Sequence, residues 1–351
     1  MAQRGRKNKV KNQKVKVKKY LDMIFISLRS FFLIALIFAS CNNDEKKSQP
    51  QQQQSEKQLP PLPDFNADSA YGYVKAQVDF GPRVPNTKAH LNCGDYLIAK
   101  MKSWCDTVIV QSGTLTAFDN TRLNFRNIIS SFNSESKRRI LLFAHWDTRP
   151  WSDQDTINKD KPSLGADDGA SGVAVLMEIA RQLQNNKTEI GIDIIFFDAE
   201  DWGMEGGGPG AEDSYALGTQ YWTKYPHVNN YTADFGILLD MVGAKGAQFR
   251  KEGLSRTQAG FVVDKVWQMA NRLGYSGYFL YEDGGWVTDD HVYINKFNIP
   301  AIDIINSVPR SKSGFVPHWH THADNMDVID RNTLRAVGQT LVGVIYWTEG
   351  I

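Results

Sequence analysis

The apolar positions of this chain fall into short continuous runs that alternate with segments of helical periodicity. The clearest run spans residues 192–201; it is apolar and β-branched, and it ends in the two carboxylates Glu200 and Asp201. A run of this length predicts a strand buried on both faces, as in a parallel sheet. Ligand sites in open α/β sheets lie beyond the carboxyl ends of the strands, where these acids fall. A solvated loop carrying two acids is the alternative for this strand taken alone.

The same alternation continues along the chain. Further strands are predicted at residues 107–117, 124–132, 139–144, 235–239 and 301–305, and helices at residues 68–78, 87–104, 256–273 and 331–347. Another helix begins within the glycine-rich segment 165–172 and ends near Gln184. Strands that alternate with helices predict an α/β fold. We expect a single domain with a central mixed, mostly parallel sheet that is flanked by helices on both faces.

Composition bounds the number of domains and the class of partner. The 351 residues are 42% hydrophobic and 23% charged, which suits one large core with non-globular ends. The net charge of +1 hides an asymmetry, because residues 1–40 carry +9 and the remaining residues therefore carry −8. The mildly acidic remainder argues against nucleic acid as a partner. The basic run is longer than export requires, so Met23 is an alternative start.

The N-terminal segment has the order of a secretory signal. Basic residues, a short apolar stretch and small residues precede Cys41, and they predict a signal peptide over residues 1–40. The small residues before Cys41 resemble a bacterial lipobox, in which the cysteine is lipidated, although Phe38 replaces the usual leucine. A transmembrane anchor is the alternative, but the uninterrupted apolar core of residues 31–39 is short for a span.

Residues 41–63 are rich in Asn, Gln, Lys, Ser and Pro, and they predict a disordered tether before a catalytic domain at residues 64–351. Cys93 and Cys105 are the other cysteines. If both lie on or near one helix, twelve residues apart at about 1.5 Å per residue, they are too distant to bridge. We expect two isolated, buried thiols.

Several predicted strands end in histidine or carboxylate side chains, which are residue types that bind metals in proteins. His145 follows the strand at residues 139–144, and Asp240 ends the strand that begins at Phe235. Loops add Asp168, at a glycine-flanked helix start, and His320. Imidazole and carboxylate donors without thiolate suit a catalytic zinc site. Each residue alone has another explanation: Asp167 could cap the helix, and His318 and His322 could be surface residues.

Taken in order, the candidate residues resemble the site of the co-catalytic zinc aminopeptidase superfamily. The motifs are His145-x-Asp147, Gly165-Ala-Asp-Asp168, Glu200-Asp201, Asp240 and His320. The resemblance implies a zinc-exopeptidase-like fold over most of the chain from Asp68 onward. It implies metal ligands at His145, Asp168, Asp201, Asp240 and His320, with Glu200 as the base. Asp201 stands where the superfamily usually has Glu.

Three further motifs resemble one branch of that superfamily, the mammalian-type (type II) glutaminyl cyclases. They are the segment at residues 127–142, Thr288-Asp-Asp-His291 and Trp319-His-Thr321. Asp289 and Trp319 separate this branch best from the aminopeptidases. The alternative is that Asp289 is only a loop acid and Trp319 only a packed aromatic residue.

The cyclase resemblance implies one zinc ion per chain, held by Asp168, Asp201 and His320; His145 and Asp240 would join them if a second metal binds. Glu200 would shuttle a proton from the α-amine of an N-terminal glutamine to departing ammonia. Asp240 and Asp289 would accept hydrogen bonds around that proton. The expected pocket walls are Trp202, Phe315 and Trp319.

We therefore expect a glutaminyl-peptide cyclotransferase whose partners are the N-terminal glutamines of peptides and proteins. The expected location is the cell envelope or periplasm, as a monomer that is lipid-anchored through Cys41 to a bacterial membrane. Two alternatives stay open. One is a zinc aminopeptidase with two metals, and the other is an envelope lipoprotein with a metal-free, catalytically dead site that binds peptides.

Overall fold

A computed structural model describes residues 61–347. The strands are β1 (Thr107–Thr116), β2 (Arg122–Phe132), β3 (Arg139–His145), β4 (Gly191–Phe197), β5 (Phe235–Asp240), β6 (Phe249–Lys251), β7 (Phe279–Asp283) and β8 (Ala301–Ile305). The α-helices are α1 (Ala67–Val78), α2 (Lys88–Lys102), α3 (Ala170–Asn185), α4 (Leu217–Lys224), α5 (Gly253–Arg272), α6 (Asp290–Lys296) and α7 (Arg331–Trp347). The predicted signal peptide and Cys41 lie outside the described residues.

Six strands form the central sheet in the order β1-β2-β4-β3-β5-β8. The four strands from β4 to β8 are parallel to one another, whereas β1 and β2 pair antiparallel at one edge. Strands β6 and β7 form a separate parallel pair. Helical crossovers between the parallel strands cover both faces of the sheet. The predicted fold class, a single α/β domain with a mixed sheet, is confirmed.

Alternate side chains of the central strands enter two different cores. In β3, Leu142 and Ala144 pack in the larger core with α1, α3, α5 and α7, while Leu141 and Phe143 face the smaller core with α4 and α6. All of these side chains are fully buried. A strand buried on both faces has few polar positions, here Asp193 in β4 and Asp303 in β8, which explains why these segments read as nearly continuous apolar runs.

The predicted long elements are confirmed to within four residues at each end, but several short ones are missing from the sequence prediction. The missed helices are α4, with eight residues, and α6, with seven residues. The missed strands are β6 and β7, with three and five residues. The two helices span about two turns each, β6 has only three residues, and β7 is exposed over most of its length, so none of these segments shows a clear apolar pattern.

Cys93 and Cys105 are both free thiols, as predicted. Cys93 is buried in α2, but Cys105 is only half-buried, because it lies in the loop beyond the end of that helix. At the other end of the described residues, Leu62 packs on the core and the Pro63 carbonyl accepts a hydrogen bond from Gln339 Nε2 at 3.0 Å. The folded part therefore includes residues 62 and 63, which were assigned to the tether. Within residues 61–347, no helix combines the length and apolarity needed to cross a bilayer.

Glu252 supplies a prediction about stability. Its buried carboxylate caps α5 by accepting hydrogen bonds from the Leu254 and Ser255 amides, and it lies 3.3 Å from His291 Nε2. Burial alone would raise the pKa of Glu252, but the contact with His291 and the amide hydrogen bonds lower it to about 2. Because the pKa in the folded state is lower than in the unfolded state, the stabilisation is complete above pH 4.5 and is lost as the pH falls.

Glu252→Gln should therefore destabilise the protein at pH 7, and the difference from the wild type should shrink by about 1 kcal/mol at pH 4. Urea unfolding at the two pH values measures this change. Glu282→Gln is the control, since it removes an exposed carboxylate that pairs with Arg250 on the same side of the fold. A Glu252→Gln deficit that does not depend on pH would contradict the prediction.

Candidate active site

Three parallel strands deliver polar side chains to one edge of the sheet. His145 ends β3, Asp240 ends β5, and Glu200 and Asp201 follow β4 by three and four residues. Because these strands are parallel neighbours, their carboxyl ends meet at this edge. All four side chains are buried. The convergence that the sequence could only imply is present in the fold.

Loops bring the remaining predicted residues to the same place. Asp168 precedes α3, Asp289 precedes α6, and His320 lies in the loop between β8 and α7. Three sets of three donors have their ligand atoms within 4.8 Å of one another. Two of them are fully buried and are called the two donor sets below: His145, Asp168 and Asp240, and Asp168, Asp201 and His320. The third, Asp153, Glu205 and His320, includes the exposed Glu205 and the half-buried Asp153. Asp168 belongs to both sets, so it lies between the two potential metal positions.

The donor distances are short. His145 Nε2 lies 3.0 Å from Asp168 Oδ1 and 3.4 Å from Asp240 Oδ1. In the other set, His320 Nε2 lies 3.2 Å from Asp201 Oδ1 and 3.7 Å from Asp168 Oδ2. Both histidines therefore direct the Nε2 atom toward carboxylate oxygens.

Two other buried acids orient the backbone around these donors. Asp147 accepts hydrogen bonds from the amides of Glu200 and Asp201, at 3.1 and 3.2 Å. Asp324 accepts hydrogen bonds from the amides of Asp167 and Asp168, at 2.7 and 3.2 Å. Sequence reasoning missed Asp324, because an acid four residues after His320 carries no local signal of this long-range contact.

The neighbours of the donors settle two alternatives. Asp167 does not cap α3; its carboxylate accepts the Gly243 amide at 2.8 Å and contacts His318 Nε2 at 2.9 Å. His318 is thus partly buried beside the site rather than a free surface residue. Gly169 packs so closely that a Cβ there would lie 2.4 Å from His145 Nε2. A side chain at this position would displace the histidine.

Burial and mutual repulsion shape the protonation of the acids. Burial, reinforced by the charge of Asp289, raises the pKa of Glu200 well above its usual value. Burial also raises the pKa of Asp240 to about 6 and that of Asp289 well above its usual value. Burial alone would lower the pKa of His320, but the nearby Asp201 and Asp153 raise it to about 9. Carboxylates crowded in this way favour a bound cation.

A cavity of about 270 Å³ opens above the donors. Phe315 and Trp319 line it as predicted, and the Trp319 ring stacks on His320 with a centroid separation of 3.7 Å. Trp202 is not among the lining residues; it packs edge-on against Trp151, and its indole N–H donates to Asp119. Met204, Tyr215 and Trp286 also line the cavity, and the sequence analysis selected none of them.

The residues present fit a metal ion. Asp240 Oδ1 is buried and has no hydrogen-bond partner among the described residues, which is costly unless a cation or water satisfies it. Imidazole nitrogen and carboxylate oxygen are donors that zinc accepts in catalytic sites. Both donor sets contain three protein ligands, the number that leaves a coordination position open for substrate.

Comparisons with known proteins agree with this geometry. A Zn-dependent exopeptidase from Parabacteroides distasonis is 56% identical, with a TM-score of 0.80 over 82% of this chain and 99% of that one. The glutaminyl cyclase of Bacteroides thetaiotaomicron is 54% identical, with a TM-score of 0.79 over the same shares of the two chains. The glutaminyl-peptide cyclotransferase of Drosophila melanogaster is 27% identical over 274 residues, 72% of this chain and 73% of the fly protein.

The family comparison covers more than half of the chain. The sequence model of Peptidase family M28 matches residues 127–345, which span the strand-end donors, both loops and His320. Together with the donor chemistry, this match supports zinc as the metal of the site. The chain therefore belongs to peptidase family M28.

Proposed function

We propose that this protein is a zinc-dependent glutaminyl-peptide cyclotransferase, which converts N-terminal glutamine of peptides and proteins to pyroglutamate with release of ammonia. The observation that carries the proposal is the position of Asp289 and Trp319. Both residues line the same cavity as Asp168, Asp201 and His320. They are the positions at which the chain resembles the cyclases rather than the aminopeptidases, and similar proteins named glutaminyl cyclase support the same conclusion.

The reaction joins the α-amine and the γ-carboxamide of a single N-terminal glutamine. The α-amine nitrogen of glutamine attacks the carbon of its own γ-carboxamide, the new C–N bond closes the ring, and the bond to the departing nitrogen breaks. One proton must move from the attacking amine to the departing ammonia. A zinc ion held by Asp168, Asp201 and His320 would act as a Lewis acid on the γ-carboxamide carbonyl. Because the nucleophile belongs to the substrate, no activated water is needed.

We assign the proton transfer to Glu200. Its carboxylate is 8% exposed and lines the cavity beside Asp201. A raised pKa suits a group that must both accept and release a proton. Asp240 and Asp289 line the same cavity and are buried, so we assign them the hydrogen bonds around the transferred proton and the departing amide. Phe315 and Trp319 would exclude water from the pocket.

The assay that tests the proposal uses glutaminyl-naphthylamide with the purified, zinc-loaded protein. We expect release of ammonia and an intact naphthylamide, because the ring closes without cleavage of the peptide-like bond. N-acetylated glutamine substrate should be inert, since its nucleophilic amine is blocked. Free naphthylamine without cyclised product would contradict the proposal and indicate an aminopeptidase.

Glu200→Gln is the matched variant for this assay. It keeps the size of the side chain and removes the proton acceptor, so we expect a loss of about 10²- to 10⁴-fold in kcat with zinc retained. Glu282→Gln is the control, because it makes the same substitution at an exposed carboxylate that does not line the cavity. An unchanged rate in Glu200→Gln would remove Glu200 from the proton transfer.

The number of metal ions separates the two enzymatic alternatives. A two-metal aminopeptidase is favoured by the second donor set, His145, Asp168 and Asp240, which is as compact as the first. We propose that one zinc is enough and that His145 orients Asp168 and Asp240 through its contacts at 3.0 and 3.4 Å.

On this proposal, His145→Ala should keep one zinc per chain, whereas His320→Ala should lose it. Of the two histidines, only His320 is a ligand of the single ion. Elemental analysis of the two purified variants measures the difference. Activity that continues to rise as a second equivalent of zinc is titrated into the wild type would contradict the one-zinc assignment. A wild type that binds no zinc would instead favour the catalytically dead peptide-binding protein.

We also propose that the protein is exported and anchored to a bacterial membrane through lipidated Cys41, with residues 41–61 as a tether and the catalytic domain in the envelope or periplasm. The basic, apolar and small-residue order before Cys41 supports this proposal. One acyl chain binds a membrane only weakly, so stable anchoring requires more than one chain. We propose a monomer, which analytical ultracentrifugation of the purified domain would test.

Labelled palmitate should be incorporated into the full-length protein and be absent from Cys41→Ala, because the thiol is the attachment site. Cys105→Ala, which removes a half-buried thiol of the folded domain, should keep the label. Label that persists in Cys41→Ala would exclude the lipobox interpretation.

A further inference from the structure

We propose that Asp153 is a positioning residue for His320 in the metal centre and that Arg149 holds Asp153 in place. This inference rests on the proposed function, since it takes His320 as a metal ligand. The two ring nitrogens of His320 face different acids. Nε2 faces Asp201 Oδ1 at 3.2 Å, while Nδ1 faces Asp153 Oδ1 at 3.3 Å. The second contact is an ion-pair distance, and Nδ1 makes no hydrogen bond within the described residues.

A metal-bound histidine usually donates its second ring N–H to a carboxylate, which fixes the tautomer and the ring orientation. Asp153 occupies that position for His320. The opposite side of the ring is restrained by Trp319, whose ring stacks on it at 3.7 Å. With Nδ1 facing Asp153, the lone pair of Nε2 is left for the metal. Asp153 would therefore act through His320 and not on the substrate.

Arg149 connects Asp153 to a second ligand. Its guanidinium group is fully buried and contacts both carboxylate oxygens of Asp153, with an Nη2–Oδ2 distance of 2.6 Å. Nη1 donates to the carbonyl oxygen of Asp201 at 3.0 Å and to its Oδ1 at 3.3 Å, and Nη2 also donates to the Gly203 carbonyl. The planar fork of arginine can make these contacts at once, which a lysine ammonium cannot.

The contact also bears on the one departure from the superfamily pattern. Asp201 has a shorter side chain than the glutamate usual at its position, so its carboxylate depends more on where the backbone lies. That backbone is held on both sides, because Asp147 accepts its amide and Arg149 donates to its carbonyl. Arg149 and Asp153 together thus restrain two of the three proposed zinc ligands, Asp201 and His320.

The loops that carry Asp153 and His320 also carry a second aspartate–histidine pair, two residues further along each loop, which serves as a control. Asp155 Oδ2 lies 2.8 Å from His322 Nδ1, an aspartate–histidine contact of the same kind. His322 is 38% exposed and belongs to neither donor set around Asp168. Loss of the Asp155 contact would therefore loosen the same loops without touching a proposed ligand.

The experiment compares Asp153→Asn with Asp155→Asn in the full-length protein. The zinc dissociation constant, measured by competition with a chromophoric chelator, should rise about 10- to 100-fold in Asp153→Asn. In Asp155→Asn it should stay within about threefold of the wild type. The visible spectrum of the Co²⁺-substituted protein should also change in Asp153→Asn alone, because it reports ligand orientation. Equal zinc affinities in Asp153→Asn and the wild type, or equal losses in both variants, would overturn the proposal.

Arg149→Lys is the second variant, in case Asp153→Asn fails to fold with Arg149 left unpaired. Lysine keeps the charge but loses the fork, so zinc affinity should again fall about 10-fold or more, and wild-type affinity would overturn the role of Arg149. These titrations contain no substrate. A wild type that binds zinc yet forms no pyroglutamate would refute the proposed function alone, whereas an active wild type with unchanged zinc affinity in Asp153→Asn would refute the positioning role alone.

Discussion

The structure depends on the crowding of buried carboxylates at one edge of a parallel sheet. Asp168, Glu200, Asp201, Asp240 and Asp289 all line a single cavity, and no lysine or arginine side chain of the described residues lines it with them. Burial and mutual repulsion raise the pKa values of Glu200, Asp201, Asp240 and Asp289, so this arrangement is costly for the folded protein. A divalent cation offsets that cost, and the family match supports zinc in this role. The same bound cation would thus both stabilise this edge of the sheet and supply its chemistry.

Most of the polar structure around the site serves to hold these acids in place. Asp147 and Asp324 each accept two consecutive backbone amides, which fixes the loops that carry Asp201 and Asp168. Arg149 adds contacts to Asp201 from the opposite side. Such contacts set the direction of a carboxylate without being part of the reaction, which is the role expected of groups one layer away from a metal.

We propose that the walls of the cavity, rather than the metal ligands, set which reaction the site performs. A peptidase needs a metal-activated water, whereas ring closure uses an amine that the substrate already carries. The aromatic rings of Phe315, Trp319 and Tyr215 line the cavity, and such walls suit a reaction from which water is excluded. On this view Asp289 and the aromatic residues, rather than the donor set, decide between cyclisation and hydrolysis.

The sequence determined the long elements, the two-sided sheet and the polar residues that stand at the strand ends, because these depend on local periodicity and on residue type. Buried strands such as β3 and β4 read directly as apolar runs, and His145, Asp240 and Glu200 were recognisable because they stand at or beyond strand ends. Trp319 and Phe315 were recognisable through the resemblance. The short elements α4, α6, β6 and β7 were not recognisable, because the two helices and β6 contain too few residues to show a period and β7 is mostly exposed.

Tertiary structure decided which side chains meet across long stretches of chain. Asp324 reaches the Asp168 amide from 156 residues away, and Trp202 turns from the cavity to pack on Trp151. The pairing of Asp153 with His320, 167 residues apart, likewise follows from the way two loops dock. Local pattern cannot specify such contacts, because a side chain's partner depends on how the loops pack and not on its own neighbours in sequence. The sequence by itself thus identified the chemistry of the site, and the fold decided the geometry in which that chemistry is held.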